Sequence, residues 1–139
     1  GLPREILDII AQHHGSTRIE YFYRKALEDA PDEDAVRESD FRYVSGLPRS
    51  KEAGIMMLAD SIEATVKSLP KPTPKRIDDV DADKVRRKLQ DGQFDECQLT
   101  MHDIHEAGEA IREALIGFLG PRIAYPEDPG DARNGKARS

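Results

Sequence analysis

Tryptophan is absent from the 139 residues, aromatics of all kinds make up only 6% of them, and Cys97 is the sole cysteine. One thiol excludes an internal disulfide framework and makes a reducing compartment the default, with Cys97 expected to pack or lie partly exposed. No run approaches the roughly 20 apolar residues that cross a bilayer, and the N-terminus lacks a charged-then-apolar signal pattern, so the chain is expected to be soluble. Glycine-rich phosphate loops, a serine-hydrolase nucleophile elbow and internal repeats are also missing, which removes the common nucleotide-loop and acyl-transfer chemistries. Positive charge is in deficit: the formal net charge is -6. That balance argues against a surface that coats a nucleic acid polymer, whose affinity rests on many phosphate contacts. It leaves small anionic ligands open, because bound dications would supply the local positive field that the chain lacks. There is no initiator methionine, and Gly1-Leu-Pro-Arg4 enters helix almost at once, so the chain is expected to be a cut fragment.

What is present is 37% hydrophobic and 35% charged residues, the balance of an all-α protein with a modest core and well solvated faces rather than a sandwich or barrel. The length suits one domain or part of one. Apolar spacing predicts helices over about 3–14 and 17–30, the second through Ile19, Phe22, Tyr23, Ala26 and Leu27. An acidic connector, 31–40, is expected to hold at most one short turn near Ala35. Phe41 to Pro48 is expected to be irregular and to line a pocket or pin the loop to the core. Ser50 caps a predicted helix that runs to Leu69. Pro70, Pro72 and Pro74 predict an extended tether through Arg76, followed by a helix over 79–89 that carries Val80, Val85 and Leu89. Thr100 and Asp103 form a predicted capping box for a last helix whose stripe is Ile104, Ala107, Ile111, Leu115 and Phe118, stopped by Gly120-Pro121. Residues 127–139 have almost no apolar content and are expected to be a disordered tail behind a domain portion spanning 1–126.

Two sites stand out chemically. His13 and His14 lie side by side where the first helix should end at Gly15, and Ile6, Ile9, Ile10 and His13 share one face, a stripe that should otherwise be core. Neutral imidazole is the commonest protein metal ligand. The second is Asp60, which follows Ala53 and Met57 and precedes Ala64 at three- and four-residue steps, so a carboxylate interrupts a small apolar row. If buried, it needs a cation: a metal held with the histidines, or an arginine such as Arg18 or Arg42. His102 and His105, three apart in the polar first turn of the last helix, are a weaker pair for a metal.

Several segments occur in a definite order: Ala11-Gln-His-His-Gly-Ser-Thr-Arg18, Tyr21-Phe-Tyr-Arg-Lys-Ala26, Asp40-Phe-Arg-Tyr43, Ser50-Lys-Glu52 and Met57-Leu-Ala-Asp-Ser61, then Asp91-Gly-Gln93, Asp95-Glu-Cys-Gln-Leu-Thr100 and Pro121-Arg-Ile-Ala-Tyr-Pro126. Together they resemble the C-terminal part of the HD hydrolase domain of the bacterial seven-transmembrane HD family, the cyclic di-AMP phosphodiesterases. The resemblance implies a helical HD-domain-type bundle on the cytoplasmic face of a membrane-anchored parent. It implies two divalent metal ions, iron or manganese, with His13, His14 and Asp60 among their ligands. The implied reaction is hydrolysis of cyclic di-AMP to the linear dinucleotide by a metal-activated hydroxide. Arg18 is then a candidate contact to phosphate, and Tyr21 or Tyr43 to adenine, with core or rim packing as their alternative roles. The family's His-Asp doublet and further histidines belong upstream of the first helix pair, where this chain has none. No catalytic residue is therefore assigned. The chain is expected to supply about half of the metal shell, to need the upstream remainder of the domain as its partner, and to be inactive and prone to self-association alone. A non-catalytic module that senses the cyclic dinucleotide, and a purely structural helical fragment, are the competing readings.

Overall fold

A computed structural model describes residues 1–125, so the tail expected at 127–139 lies outside the described residues. Five α-helices are present among the described residues, with no strand. The first two are shorter than their apolar spacing predicts: α1 is Arg4–Gln12 and α2 is Glu20–Asp29. Backbone hydrogen bonding explains the difference. The chain between them is drawn into an antiparallel bridge of Arg18 with Arg42, in which the Ile19 amide donates to the Phe41 carbonyl at 2.6 Å and the Tyr43 amide to Thr17 at 3.1 Å. Amides spent there cannot extend α2 backwards. The acidic connector holds two short 3-10 turns, Glu33–Ala35 and Glu38–Phe41, where one was expected.

Helix α3, Lys51–Lys67, starts at the predicted cap: the Ala53 amide donates to Ser50 Oγ at 3.1 Å. It buries Met57, Leu58, Ile62 and Val66 against α4, Pro74–Gln90, and α5, Met101–Leu119. Helix α4 begins five residues earlier than expected. The proline run does not forbid it, because Thr73 caps the helix and Pro74 occupies its first turn, where a missing N–H costs nothing. That early start carries Ile77, fully buried, into the core. At α5 the capping box forms as predicted, with Thr100 and Asp103 each accepting the other's backbone N–H at 3.0 Å. Its apolar row holds only in part. Ile104 and Leu115 are buried, but Phe118 is 78% exposed, its ring lying under the Lys67 ammonium.

Phe94, Leu119 and Ile123 close the core shared by α3, α4 and α5. Each fully buried aliphatic or aromatic side chain there contributes about 1.5–3 kcal/mol relative to exposure. The other end of the molecule differs. No residue of α1 or α2 is buried, and Ile6, Ile10 and Phe22 are exposed, so the predicted core stripe of α1 is not covered by the described residues. Among the helices of the described residues, α1 packs chiefly on α3. No helix among the described residues is long and apolar enough to cross a membrane.

Candidate metal centre

His13 is the C-cap of α1, its amide donating to the Ile9 carbonyl at 2.9 Å. Its Nδ1 lies 2.7 Å from the Ile10 carbonyl, an acceptor only, so Nδ1 carries the proton and Nε2 keeps a free lone pair. His14 follows without a break in the turn, and its ring stacks on Tyr43 with centroids 4.5 Å apart and planes 9° apart. Such a pair contributes roughly 0.5–1.5 kcal/mol beyond its buried area and fixes the imidazole plane. The two imidazoles are 4.0 Å apart between centroids.

The third member arrives from α3. His14 Nδ1 is 3.9 Å from Asp60 Oδ2, and one ligand atom from each of His13, His14 and Asp60 lies within 4.8 Å of the others. Asp60 is not the buried carboxylate that the sequence predicts, its side chain being 52% exposed. The row through Ala53, Met57, Asp60 and Ala64 begins in the core and emerges from it, because the buried face of α3 turns toward Ile62 and Val66 beyond Met57. Neither arginine offered as its alternative partner takes it. Arg18 pairs with Glu20 and Glu38, and Arg42 with Glu38 and Asp91. Burial, with the neighbouring His13, holds the His14 imidazole below the usual histidine range despite the opposing pull of Asp60. The ring is thus biased to the neutral form a cation needs.

Position 15 makes the turn possible. Gly15 sits at φ +57°, and a Cβ there would stand 2.5 Å from Gln93 Oε1. Gln93, 1% exposed, is the buried polar residue that the sequence reading missed. Its Oε1 accepts from the Ser16 amide at 3.0 Å, and its Nε2 donates to Ser16 Oγ at 3.1 Å and to Asp91 at 2.9 Å. Arg42 Nη1 donates to the Ser16 carbonyl at 2.9 Å, and both its Nη atoms bond Asp91. Every polar group of Ser16 is therefore held from segments far along the chain, which fixes the backbone next to the histidine pair. The bonded Arg42 guanidinium keeps the Asp91 carboxyl below the ordinary aspartate range.

The remaining predicted residues fare unequally. Tyr43 lies against His14, as described. The Arg18 guanidinium lies 4.3 Å over the Tyr23 ring and donates to Glu20 at 2.8 Å, so its charge is already engaged. Tyr21 is 70% exposed and meets Phe22 edge-on. His102 and His105 join no ligand group among the described residues; His102 instead pairs with Glu106 at 3.2 Å on the outside of α5. Contrary to the expectation drawn from the missing doublet, the chain is not free of His-Asp dipeptides, since His102-Asp103 is one, at the start of α5. Asp103 is committed to the capping box, so this dipeptide serves the helix start. Cys97 is half-buried, with Sγ 3.2 Å from the Pro48 carbonyl, a packing role as expected. Lys88 on α4 also escaped notice. It sits close enough to Asp60 and Asp91 to feel both charges, yet burial and Lys84 drive its ammonium down to about 8.

Comparison with known proteins bears directly on this arrangement. The chain is 42% identical over 125 residues to the cyclic-di-AMP phosphodiesterase PgpH of Bacillus subtilis and 39% identical over 127 residues to that of Listeria monocytogenes, covering 90% and 91% of this chain and 17% of each relative. The crystal structure of the Listeria monocytogenes PgpH HD domain in complex with cyclic-di-AMP superposes with a TM-score of 0.79 at 39% identity, over 89% of this chain and 57% of that one. The chain is homologous to part of the PgpH HD domain. A second crystal structure of the Listeria monocytogenes PgpH HD domain gives a TM-score of 0.74 at 36% identity, over 84% of this chain and 53% of that one. A third relative, slr0104 of Synechocystis sp., is 34% identical over 129 residues, 91% of this chain and 16% of that protein. No family model matches. The chain therefore spans about half of the crystallised HD domain and a sixth of the curated phosphodiesterases. The HD-type helical bundle expected from sequence is the fold observed.

Proposed function

We propose that the chain is the C-terminal portion of a metal-dependent phosphodiesterase domain that opens cyclic di-AMP to the linear dinucleotide, in a parent anchored to the membrane with this domain on its cytoplasmic face. The observation that carries the reading is the convergence of His13, His14 and Asp60, with ligand atoms within 4.8 Å of one another, in a homologue of the PgpH HD domain. The donor set suits the group. Two imidazoles and a carboxylate match divalent iron or manganese, and three donors leave room for ligands from the upstream part of the domain. When bound, two such cations would supply Lewis-acid activation of water and neutralise charge building on the phosphoryl oxygens.

The chain's own residues prepare that site. His13 presents Nε2 because its Nδ1 proton is committed to Ile10. His14 is held neutral by burial and aligned by Tyr43, and Asp60 adds the negative charge that attracts a cation. Tyr43 offers an aromatic edge beside the centre, and Arg18 and Tyr21 complete the proposed nucleotide contacts, Arg18 only if phosphate displaces one of its carboxylates. This chain lacks the upstream doublet, so hydrolysis requires the rest of the domain. The test uses the intact HD domain. Cyclic di-AMP hydrolysis should be abolished in His13→Ala, His14→Ala and Asp60→Ala, with lower metal content in each. Full activity in all three would overturn the assignment, and binding without any product in the wild type would favour a sensing role.

A further inference from the structure

His13 and His14 stand in a turn that their own helix does little to hold. Helix α1 ends at Gln12, and none of its residues is buried. The anchor comes from elsewhere in the chain. The Gln93 side chain, 1% exposed, reaches in from the connector between α4 and α5, 77 residues from Ser16. Its Oε1 accepts from the Ser16 amide, and its two Nε2 protons go to Ser16 Oγ and Asp91 Oδ2, so its donors are fully spent. Reversing this amide would set N–H against N–H, which fixes one orientation. Gln93 is itself held: its backbone amide donates to the Lys88 carbonyl at 3.0 Å, and Phe94 beside it is sealed in the core. The core is thereby tied to the residue two places after His14, while Asp60 rides on α3, a wall of that same core.

We propose that Gln93 is a positioning residue of the metal centre: it holds the Ser16 backbone so that the two imidazoles keep the spacing from Asp60 that a divalent cation needs, and so sets cation affinity. The inference rests on the metal-centre reading. Gln93 is outside the ligand group, so it acts through the turn alone. Metal sites tolerate little error in their ligands, about 0.2 Å in each bond. Two donors come from the turn and the third from α3, so their spacing depends on how firmly the turn is tied to the helices. The same tie reaches the stacked ring. Thr17, next to Ser16, accepts from the Tyr43 amide at 3.1 Å, which carries the tyrosine onto His14. Arg42 also grips the Ser16 carbonyl, but a donor there cannot replace the acceptor that the Ser16 amide would lose.

The experiment strips the intact HD domain of metal and titrates it with Mn²⁺ by calorimetry, at a temperature where every variant compared is fully folded. Gln93→Met keeps the side-chain volume and removes the hydrogen bonds. It should weaken Mn²⁺ binding by about tenfold, the lower end of the loss when groups that orient metal ligands are removed. Leu115→Ala, a core truncation on α5 outside this network, is the control: its Tm should fall while its Mn²⁺ affinity stays at the wild-type value. An affinity of Gln93→Met within about twofold of wild type, or an equal loss in Leu115→Ala, would overturn the proposal. A second readout needs no cation. The Tyr43 ring shifts the His14 ring-proton resonances upfield, and in stripped Gln93→Met these should move back toward their unstacked positions while those of His102 stay in place. Unmoved His14 resonances would likewise overturn it. If the wild type takes up no Mn²⁺, the metal-centre reading fails on its own, and the resonances alone decide whether Gln93 positions the pair. Gln93→Ala, which removes the same bonds, replaces Gln93→Met in both measurements if the latter does not fold.

Discussion

Replacing Gly15 with alanine should damage the histidine turn more than any exposed substitution nearby, and the structure sets the size of the effect. The residue is at φ +57°, where a Cβ costs about 1–2 kcal/mol by crowding its own backbone. The new methyl would also stand 2.5 Å from Gln93 Oε1 and 3.1 Å from Pro48 Cδ, with Met57 Sδ behind it at 3.4 Å. Pro48 is stiff and buried, so Gln93 must give way, and the Ser16 amide then loses its acceptor. A part-buried donor left unpaired adds roughly 1–3 kcal/mol. The sum for Gly15→Ala is about 2–5 kcal/mol, measured by urea unfolding of the intact HD domain with the m-value unchanged. Coupling sharpens the test. In the Gly15→Ala, Gln93→Ala double variant the obstacle is gone, so the two losses should fall short of additivity by about 1 kcal/mol or more. A single variant within about 0.5 kcal/mol of wild type, or strict additivity in the double, would refute this account of the turn.

Two further outcomes follow from charge. The Lys88 ammonium is depressed from 10.5 to about 8, so below pH 8 the folded state carries a charge it disfavours, and stability rises with pH between those values as the unfolded chain keeps the proton longer. Lys88→Met should therefore stabilise the intact domain by about 1 kcal/mol at pH 7 after allowance for solvent screening, the gain fading to nothing near pH 10.5; a loss of stability at pH 7 in chemical denaturation would contradict this. Asp91 is shifted the opposite way. Its carboxyl is held low chiefly by Arg42, so its contribution is full above the ordinary aspartate value and lost as pH falls through the depressed one. Asp91→Asn should cost about 1 kcal/mol near neutrality and progressively less in acid, and a pH-independent difference in unfolding curves would rule that linkage out.

Helix identity and the caps of α3 and α5 were legible in the sequence, because Ser50, and Thr100 with Asp103, act through local hydrogen bonds that neighbouring residues reveal. The start of α4 is hidden by its prolines, which suggest a break where Thr73 and Pro74 in fact form a proper first turn. Apolar periodicity located faces but not their covers. Ile6 and Ile10 share a face as predicted and yet stay exposed, and Phe118 continues a row that leaves the core at Leu115. The same limit applied to Asp60, for which spacing predicted burial and the curvature of the packed face gave exposure. In the site, the adjacent histidines announced themselves, whereas Gln93 and Lys88 did not. Gln93 is 77 residues from Ser16, and nothing in the sequence of either signals that contact. Lys88 looked like one more charge on a solvated helix, whereas in the structure it is half-buried.

The central claim is that His13, His14 and Asp60 together hold a divalent cation, and elemental analysis of the purified intact HD domain tests it most directly. Iron or manganese should be present in the wild type and fall well below one ion per chain in a His13→Ala, His14→Ala, Asp60→Ala variant that unfolds as cooperatively as the parent. Undiminished metal in that variant, or none in a wild type incubated with either ion, would contradict it.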